Sequence, residues 1–214
     1  MKTLVIKVGG SLLRSPVIIS NIANVLARLK LGKAIVPGGG IFADVVRELF
    51  VEHKITSEEA HYMAIKAMEI NSVMLSYRLR SSKLCSTLEE IVSTLSEGKI
   101  AIVLPYEIIR KVNILPESWS ITSDSIAVLI GILLSADLVV LLKNIDGVCV
   151  NGKVVKELKA SSISTLKGYA DDYVLELIRR FKVKVAIVNG LKPEILKYLV
   201  SGRECPQPYT LITA

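Results

Sequence analysis

The chain has 214 residues, is 51% hydrophobic and has a mean hydropathy of +0.49, which suits one compact α/β domain with a large core. No apolar run reaches the roughly 18 residues needed to cross a bilayer, and the N-terminus lacks the basic region, apolar stretch and cleavage site of a signal peptide. A net charge of +7 raises nucleic-acid binding, but the basic residues are scattered and aromatics make up only 5%, so stacking platforms are not evident and a surface that draws in anionic metabolites fits at least as well.

Thr3-Leu4-Val5-Ile6 is a short apolar, β-branched run that predicts a buried strand. It ends in Lys7-Val8-Gly9-Gly10-Ser11. Paired glycines between a strand and a helix let backbone N–H groups come close to an anion, and the helix dipole points at the same place. A plain strand-to-helix turn would look the same. The pattern recurs, however: Ala34-Ile35-Val36-Pro37 runs into Gly38-Gly39-Gly40 and a second helix. Between them, Ile22, Val25, Leu26 and Leu29 have the spacing of a buried helix face, with Pro16 in the first turn and Gly32 at the end. The second helix is expected to turn Phe42, Val45, Val46 and Leu49 inward. Asp44 and Arg47 lie in its early turns, where a solvated face and a ligand contact are equally compatible readings.

Thr56 and Glu59 form a capping-box pattern opening a long helix to about Leu79. His61 on it reads as a packed or surface histidine, with a substrate contact as the alternative. A strand over Ile100–Leu104 closes at Pro105, and Tyr106 to Trp119, of mixed polarity with Pro105 before it and Pro116 within it, reads as a loop or hairpin carrying substrate contacts. Thr122 or Ser123 caps the next helix, with Asp124 in its first turn. Leu138–Leu142 is a fully apolar strand, as in a sheet covered on both faces, and it leads to Lys143 and Asp146-Gly147. A hairpin with an Asn151-Gly152 turn, a helix over Asp171–Phe181, a strand over Val183–Val188, a helix over Pro193–Leu199 and a strand over Tyr209–Ile212 complete the chain. The alternation predicts a three-layer α/β/α sandwich with a largely parallel central sheet. The three cysteines (Cys85, Cys149, Cys205) are far apart and odd in number, which indicates neither a disulfide framework nor a zinc site and fits the cytoplasm.

In order, Lys7-Val8-Gly9-Gly10-Ser11, Pro37-Gly38-Gly39-Gly40, Thr122-Ser123-Asp124-Ser125-Ile126-Ala127 and Asp146-Gly147-Val148 resemble the amino acid kinase superfamily over nearly the whole chain. Within it, His61-Tyr62-Met63-Ala64-Ile65-Lys66-Ala67-Met68 and the stretch from Leu115 to Ser125 are similar to the small archaeal kinases of methanofuran biosynthesis, which phosphorylate an (aminomethyl)furanmethyl phosphate to the diphosphate. The resemblance implies a single domain over 1–214, with an acceptor-binding half to about residue 120 and a nucleotide-binding half after it. It implies transfer of the ATP γ-phosphoryl group to an acidic oxygen of a small anionic metabolite, with Mg²⁺, in a cytoplasmic homo-oligomer built through the first helices, with neither nucleic acid nor membrane as a partner.

Such an acceptor is already a nucleophile, so catalysis rests on positioning and charge neutralisation. The resemblance assigns Lys7 to the transferring phosphoryl group and Asp124 to orienting that lysine and helping to hold Mg²⁺ through water. Gly9, Gly10 and Ser11 cradle the ATP phosphates, and Lys143, Asp146 and Gly147 belong to the nucleotide side. Gly38, Gly39 and Gly40 hold the acceptor side, with Asp44, Arg47, Trp119 and Ser123 as acceptor-pocket candidates. No dedicated metal ligand is assigned. Acetylglutamate kinase-like members carry a late Gly-Gly-Met followed by a second lysine; Leu166 to Val174 lacks it, leaving Lys143 and Lys167 as candidates for that charge. The histidine that isopentenyl phosphate kinases place after the second glycine run is missing from Ile41–Asp44, which argues against that substrate, while uridylate and amino acid kinases remain alternatives, as does a non-catalytic nucleotide- or oxyanion-binding protein.

Overall fold

The computed structural model describes residues 2–214. Its elements run β1 (Thr3–Val8), α1 (Pro16–Arg28), β2 (Gly32–Pro37), α2 (Gly40–Val51), α3 (Ser57–Ser76), β3 (Ser82–Cys85), α4 (Leu88–Ser96), β4 (Ile100–Val103), α5 (Pro105–Val112) and α6 (Ser123–Leu133). Then follow β5 (Leu138–Lys143), β6 (Cys149–Val150), β7 (Lys153–Val154), β8 (Glu157–Lys159), α7 (Tyr173–Phe181), β9 (Val185–Asn189), α8 (Ile195–Ser201) and β10 (Thr210–Thr213). The main sheet has the order β3-β4-β2-β1-β5-β9-β10-β8, parallel except that β10 runs antiparallel to β9. The hairpin strands β6 and β7 pair separately, across the expected Asn-Gly turn.

Alternate residues of each central strand feed opposite faces, as a period of two requires. Val5, Val139 and Leu141 join the core packed by α4, α5, α6 and α7. Leu4, Ile6, Val140 and Leu142 join the core packed by α1 and α8. The result is the expected three-layer α/β/α sandwich, and it explains why β1, β2 and β5 read as continuous apolar runs.

Several expectations need correction. Pro105 does not merely close β4; it occupies the first turn of α5, where a missing N–H removes no helical bond, and Ile108 and Ile109 supply the buried face. Only Asn113 to Trp119 of that stretch is loop. Gly32 starts β2 rather than ending α1, which stops at Arg28. On α2 only Val46 is buried. Phe42 and Val45 are 37% and 56% exposed, because α2 packs mainly against α3 and does not lie across the sheet. The edge strands β3 and β8 are too short and too polar to stand out in the sequence.

Candidate active site

The chain adds β2 to one side of β1 and later returns to place β5 on the other. Ligands of open α/β sheets bind beyond the carboxyl ends of the strands at such a reversal. Lys7 pairs in register with Leu141, and Lys143 closes β5 beside it. Into the gap α6 delivers Asp124 from its first turn, capped by Thr122, whose Oγ1 accepts the Asp124 N–H at 3.2 Å.

Asp124 is buried between the two lysines. Its Oδ2 accepts from Lys143 Nζ at 2.6 Å, and Lys7 Nζ lies 2.8 Å from Oδ1 as a close ion pair. Burial pushes the carboxyl up, but the charges of Lys7 and Lys143 outweigh it and hold Asp124 below the usual carboxylate range. Burial lowers the Lys143 ammonium, further aided by the charge of Lys7 and opposed by Asp124. The cluster therefore carries two cations on one anion, an excess positive charge aimed at the strand ends.

The two glycine runs meet here. Gly9 N–H donates to the Leu142 carbonyl at 2.9 Å and Gly38 N–H to that of Val8 at 2.8 Å. A Cβ on Gly10 would lie 2.5 Å from the Gly40 nitrogen, so the loops touch backbone to backbone and admit no side chain between them. Gly40 has φ +55°, a left-handed geometry that glycine adopts at little cost. Asn71, buried within α3, supports this arrangement by donating from Nδ2 to the Gly38 carbonyl at 2.7 Å. The positive ends of α2 and α6 both open onto this point.

A cavity of about 420 Å³ lies against it. It gathers Gly10, Ser11, Gly39, Gly40, Asp44, Arg47, Trp119 and Ser123 from the sequence candidates. Asp44 accepts from Arg47 Nη1 at 2.5 Å and from Arg14 Nη2, and the Arg47 guanidinium sits 5.8 Å from the Trp119 ring centroid, on which Phe50 also packs. Lys7, Gly9, Gly38, Asp124 and Lys143 stand behind this lining. Asp146 and Gly147 lie elsewhere. Asp146 Oδ1 accepts from Asn189 and Lys192, and Gly147 packs against Thr210 of β10. Of the two candidates for the second lysine, Lys143 joins Asp124, while Lys167 lines a separate cavity with Asp171 and Asp172.

Sequence reasoning missed Arg14, Asn71 and Asp171, and gave His61 only a secondary reading. Arg14 is the one charge in the stretch after the first glycines, and Asn71 is a polar residue at the helical spacing of the buried Ala67, Met68 and Leu75, so both left a signal. Asp171 left none. It reaches back 46 positions to accept the Ser125 N–H at 3.2 Å, and it also takes the Thr122 and Ser125 hydroxyls, which anchors the turn that carries Asp124. Burial raises this carboxyl, opposed by those hydrogen bonds. Among the described residues, no three His, Cys, Asp or Glu side chains gather as a metal cage.

Residues 2–189 match the amino acid kinase family. The chain is 30% identical over 203 residues, 93% of each chain, to the [5-(aminomethyl)furan-3-yl]methyl phosphate kinase of Methanocaldococcus jannaschii. Solved structures share its fold, two uridylate kinases among them. The UMP kinase of Ureaplasma parvum has a TM-score of 0.77 at 18% identity, covering 100% of this chain and 99% of that one. The uridylate kinase of Archaeoglobus fulgidus has 0.76 at 20%, covering 99% and 100%.

Proposed function

The chain belongs to the amino acid kinase family, and from that premise we propose that this phosphotransferase moves the γ-phosphoryl group of ATP onto a phosphate oxygen of [5-(aminomethyl)furan-3-yl]methyl phosphate, giving the diphosphate and ADP. The observation that carries the substrate is the 30% identity to the M. jannaschii enzyme over 93% of both chains. The likeness to uridylate kinases speaks to the fold alone.

In this reading the acceptor fills the 420 Å³ cavity, its phosphate toward the glycine loops and its ring among Trp119, Ile65, Met68 and Ile126. Arg14 and Arg47 each keep one hydrogen bond to Asp44 and offer their remaining N–H groups to the phosphate, for which a guanidinium fork is suited. An acceptor phosphate oxygen forms the new bond to the γ-phosphorus as the bond to the β–γ bridging oxygen breaks, and the electron pair leaves with ADP. No proton need be removed from the nucleophile. Lys7 and Lys143 neutralise the oxygens of the group in flight, and Asp124 holds both ammonium groups in place before the nucleotide arrives. The backbone N–H groups of Gly10 and Gly40 hold phosphate oxygens where the two loops meet too closely for a side chain on Gly10. Mg²⁺, when bound, would neutralise charge on the nucleotide phosphates. The buried Asp124, already shared by two lysines, suits contact through water and not a protein-built cage. Asp146, Gly147 and Lys192 border the nucleotide end.

Further parts of this reading are one domain with an acceptor half and a nucleotide half, action in the cytoplasm, and assembly into a homo-oligomer. The bare apolar faces of α2 and α3 support the last: Ile41, Val45, Ile70 and Val73 are 45–56% exposed. The test is ADP release with Mg-ATP against the furan phosphate, UMP, isopentenyl phosphate, glutamate and aspartate. Turnover is expected on the furan phosphate; turnover on UMP or an amino acid in its place overturns the substrate and keeps the reaction type.

A further inference from the structure

One polar atom of the acceptor cavity is not accounted for by phosphate binding. His61 lines the cavity from α3, together with Ile65 and Met68, and is only 2% exposed. Its Nδ1 lies 3.2 Å from the Ser118 carbonyl oxygen, which can only accept, so Nδ1 carries the proton. In the neutral ring Nε2 is then a bare acceptor, and it is buried without a hydrogen-bond partner. Burial disfavours the imidazolium, more than the Ser118 carbonyl and Glu117 favour it, which keeps the ring in this neutral form. A buried acceptor left unpaired is destabilising, so a donor that arrives with the ligand recovers what the empty cavity forfeits.

The other strong acceptor on the lining is spoken for: each Asp44 oxygen already takes a guanidinium hydrogen. The cavity thus has a cationic side at Arg14 and Arg47, an apolar body, and on its α3 wall His61, whose buried Nε2 has no donor. We propose that His61 is the residue that selects an acceptor bearing an amine, by accepting a hydrogen bond from that amine at Nε2. The proposal rests on the acceptor class given above and adds which atom of the acceptor is recognised and by what. An ammonium donates where a methyl group of similar size cannot, so the discrimination falls on the amine and not on the ring or the phosphate.

The test measures KM and kcat for [5-(aminomethyl)furan-3-yl]methyl phosphate and for the analogue with ethyl in place of aminomethyl. The unmodified protein is expected to favour the amine by about 10- to 100-fold in KM, the range of a buried charge-assisted hydrogen bond. Two variants separate recognition from support of the loop. His61→Asn can still donate to the Ser118 carbonyl but places no acceptor at the Nε2 position; it is expected to lose the preference, its KM for the amine rising to that for the ethyl analogue. His61→Gln places an oxygen near the Nε2 position and gives up the Ser118 bond; it is expected to keep most of the preference. Retention of the preference by His61→Asn, or its loss in both variants alike, overturns the proposal. Equal KM values in the unmodified protein overturn it while leaving the acceptor class standing, and no turnover of either furan phosphate overturns both.

Discussion

Asp124 is where small changes have large effects, because one buried carboxylate balances two ammonium groups. Removing Lys7 leaves Asp124 still paired with Lys143, so Lys7→Ala is expected to stay folded while kcat falls by about 10²- to 10⁴-fold, read by ADP release beside a thermal melt. Asp124→Asn leaves both lysines without a counter-charge. It is expected to cost about 3–5 kcal/mol, more than Lys7→Ala, in urea unfolding. His61 makes a separate prediction in pH. Its folded-state pKa is lowered by burial, so on acidification the unfolded chain takes up a proton that the folded chain refuses. Stability contributed by the neutral ring is therefore whole above the ordinary histidine pKa of about 6.5 and is lost as pH falls through it towards the lowered folded value. Urea unfolding at pH 7.5 and 5.5 should show a larger drop for the unmodified protein than for His61→Asn. Lys7 and the glycines were legible as a strand-end anion site and Asp124 as a first-turn carboxylate, because that chemistry is local to a strand end or a helix cap; their joint role came from the family resemblance. The pairing of Lys143 with Asp124 was not legible, since nothing in the stretch around either one names the other.

At the scale of elements, the two glycine runs act as one device. Each was legible as a strand-to-helix turn, but their contact depends on β1 and β2 lying side by side. Gly10→Ala is expected to be worse than an ordinary loop substitution, since its Cβ would meet the backbone of Gly40, which cannot rotate away as a side chain would. Activity should fall at least about 10²-fold through displaced N–H groups, with little change in secondary structure by circular dichroism. The elements that misled were those whose partner is another helix. The apolar stripe of α2 obeys the helical period, yet periodicity says only that a face is apolar and not that this chain covers it. Pro105 misled for a different reason. The same residue ends a strand or begins a helix, and the choice is made by Ile108 and Ile109 packing beneath it.

For the whole molecule, the layer order and the parallel sheet followed from the alternation of apolar runs with amphipathic helices, while the order of strands did not, because register and adjacency are decided between distant segments. The exposed stripe on α2 and α3 makes a prediction about assembly. Val45→Glu combined with Val73→Glu places charge at half-exposed positions, so the fold should persist while the sedimentation coefficient drops from that of the proposed homo-oligomer to that of a monomer.

The reversal of strand order beside β1 also has a consequence in time. Thr3 N–H bonds to the Asp137 carboxylate across 134 positions of chain, and the whole β1–β5 ladder spans a similar distance. On the ribosome, β1 meets β2 early, but its other edge and the Lys7 ammonium wait for β5 and α6 to be synthesised. Until then an apolar strand has an open side and a cation has no partner. The centre of the finished enzyme thus cannot form until β5 has been made, and a nascent chain passes much of its synthesis with that edge free to pair wrongly.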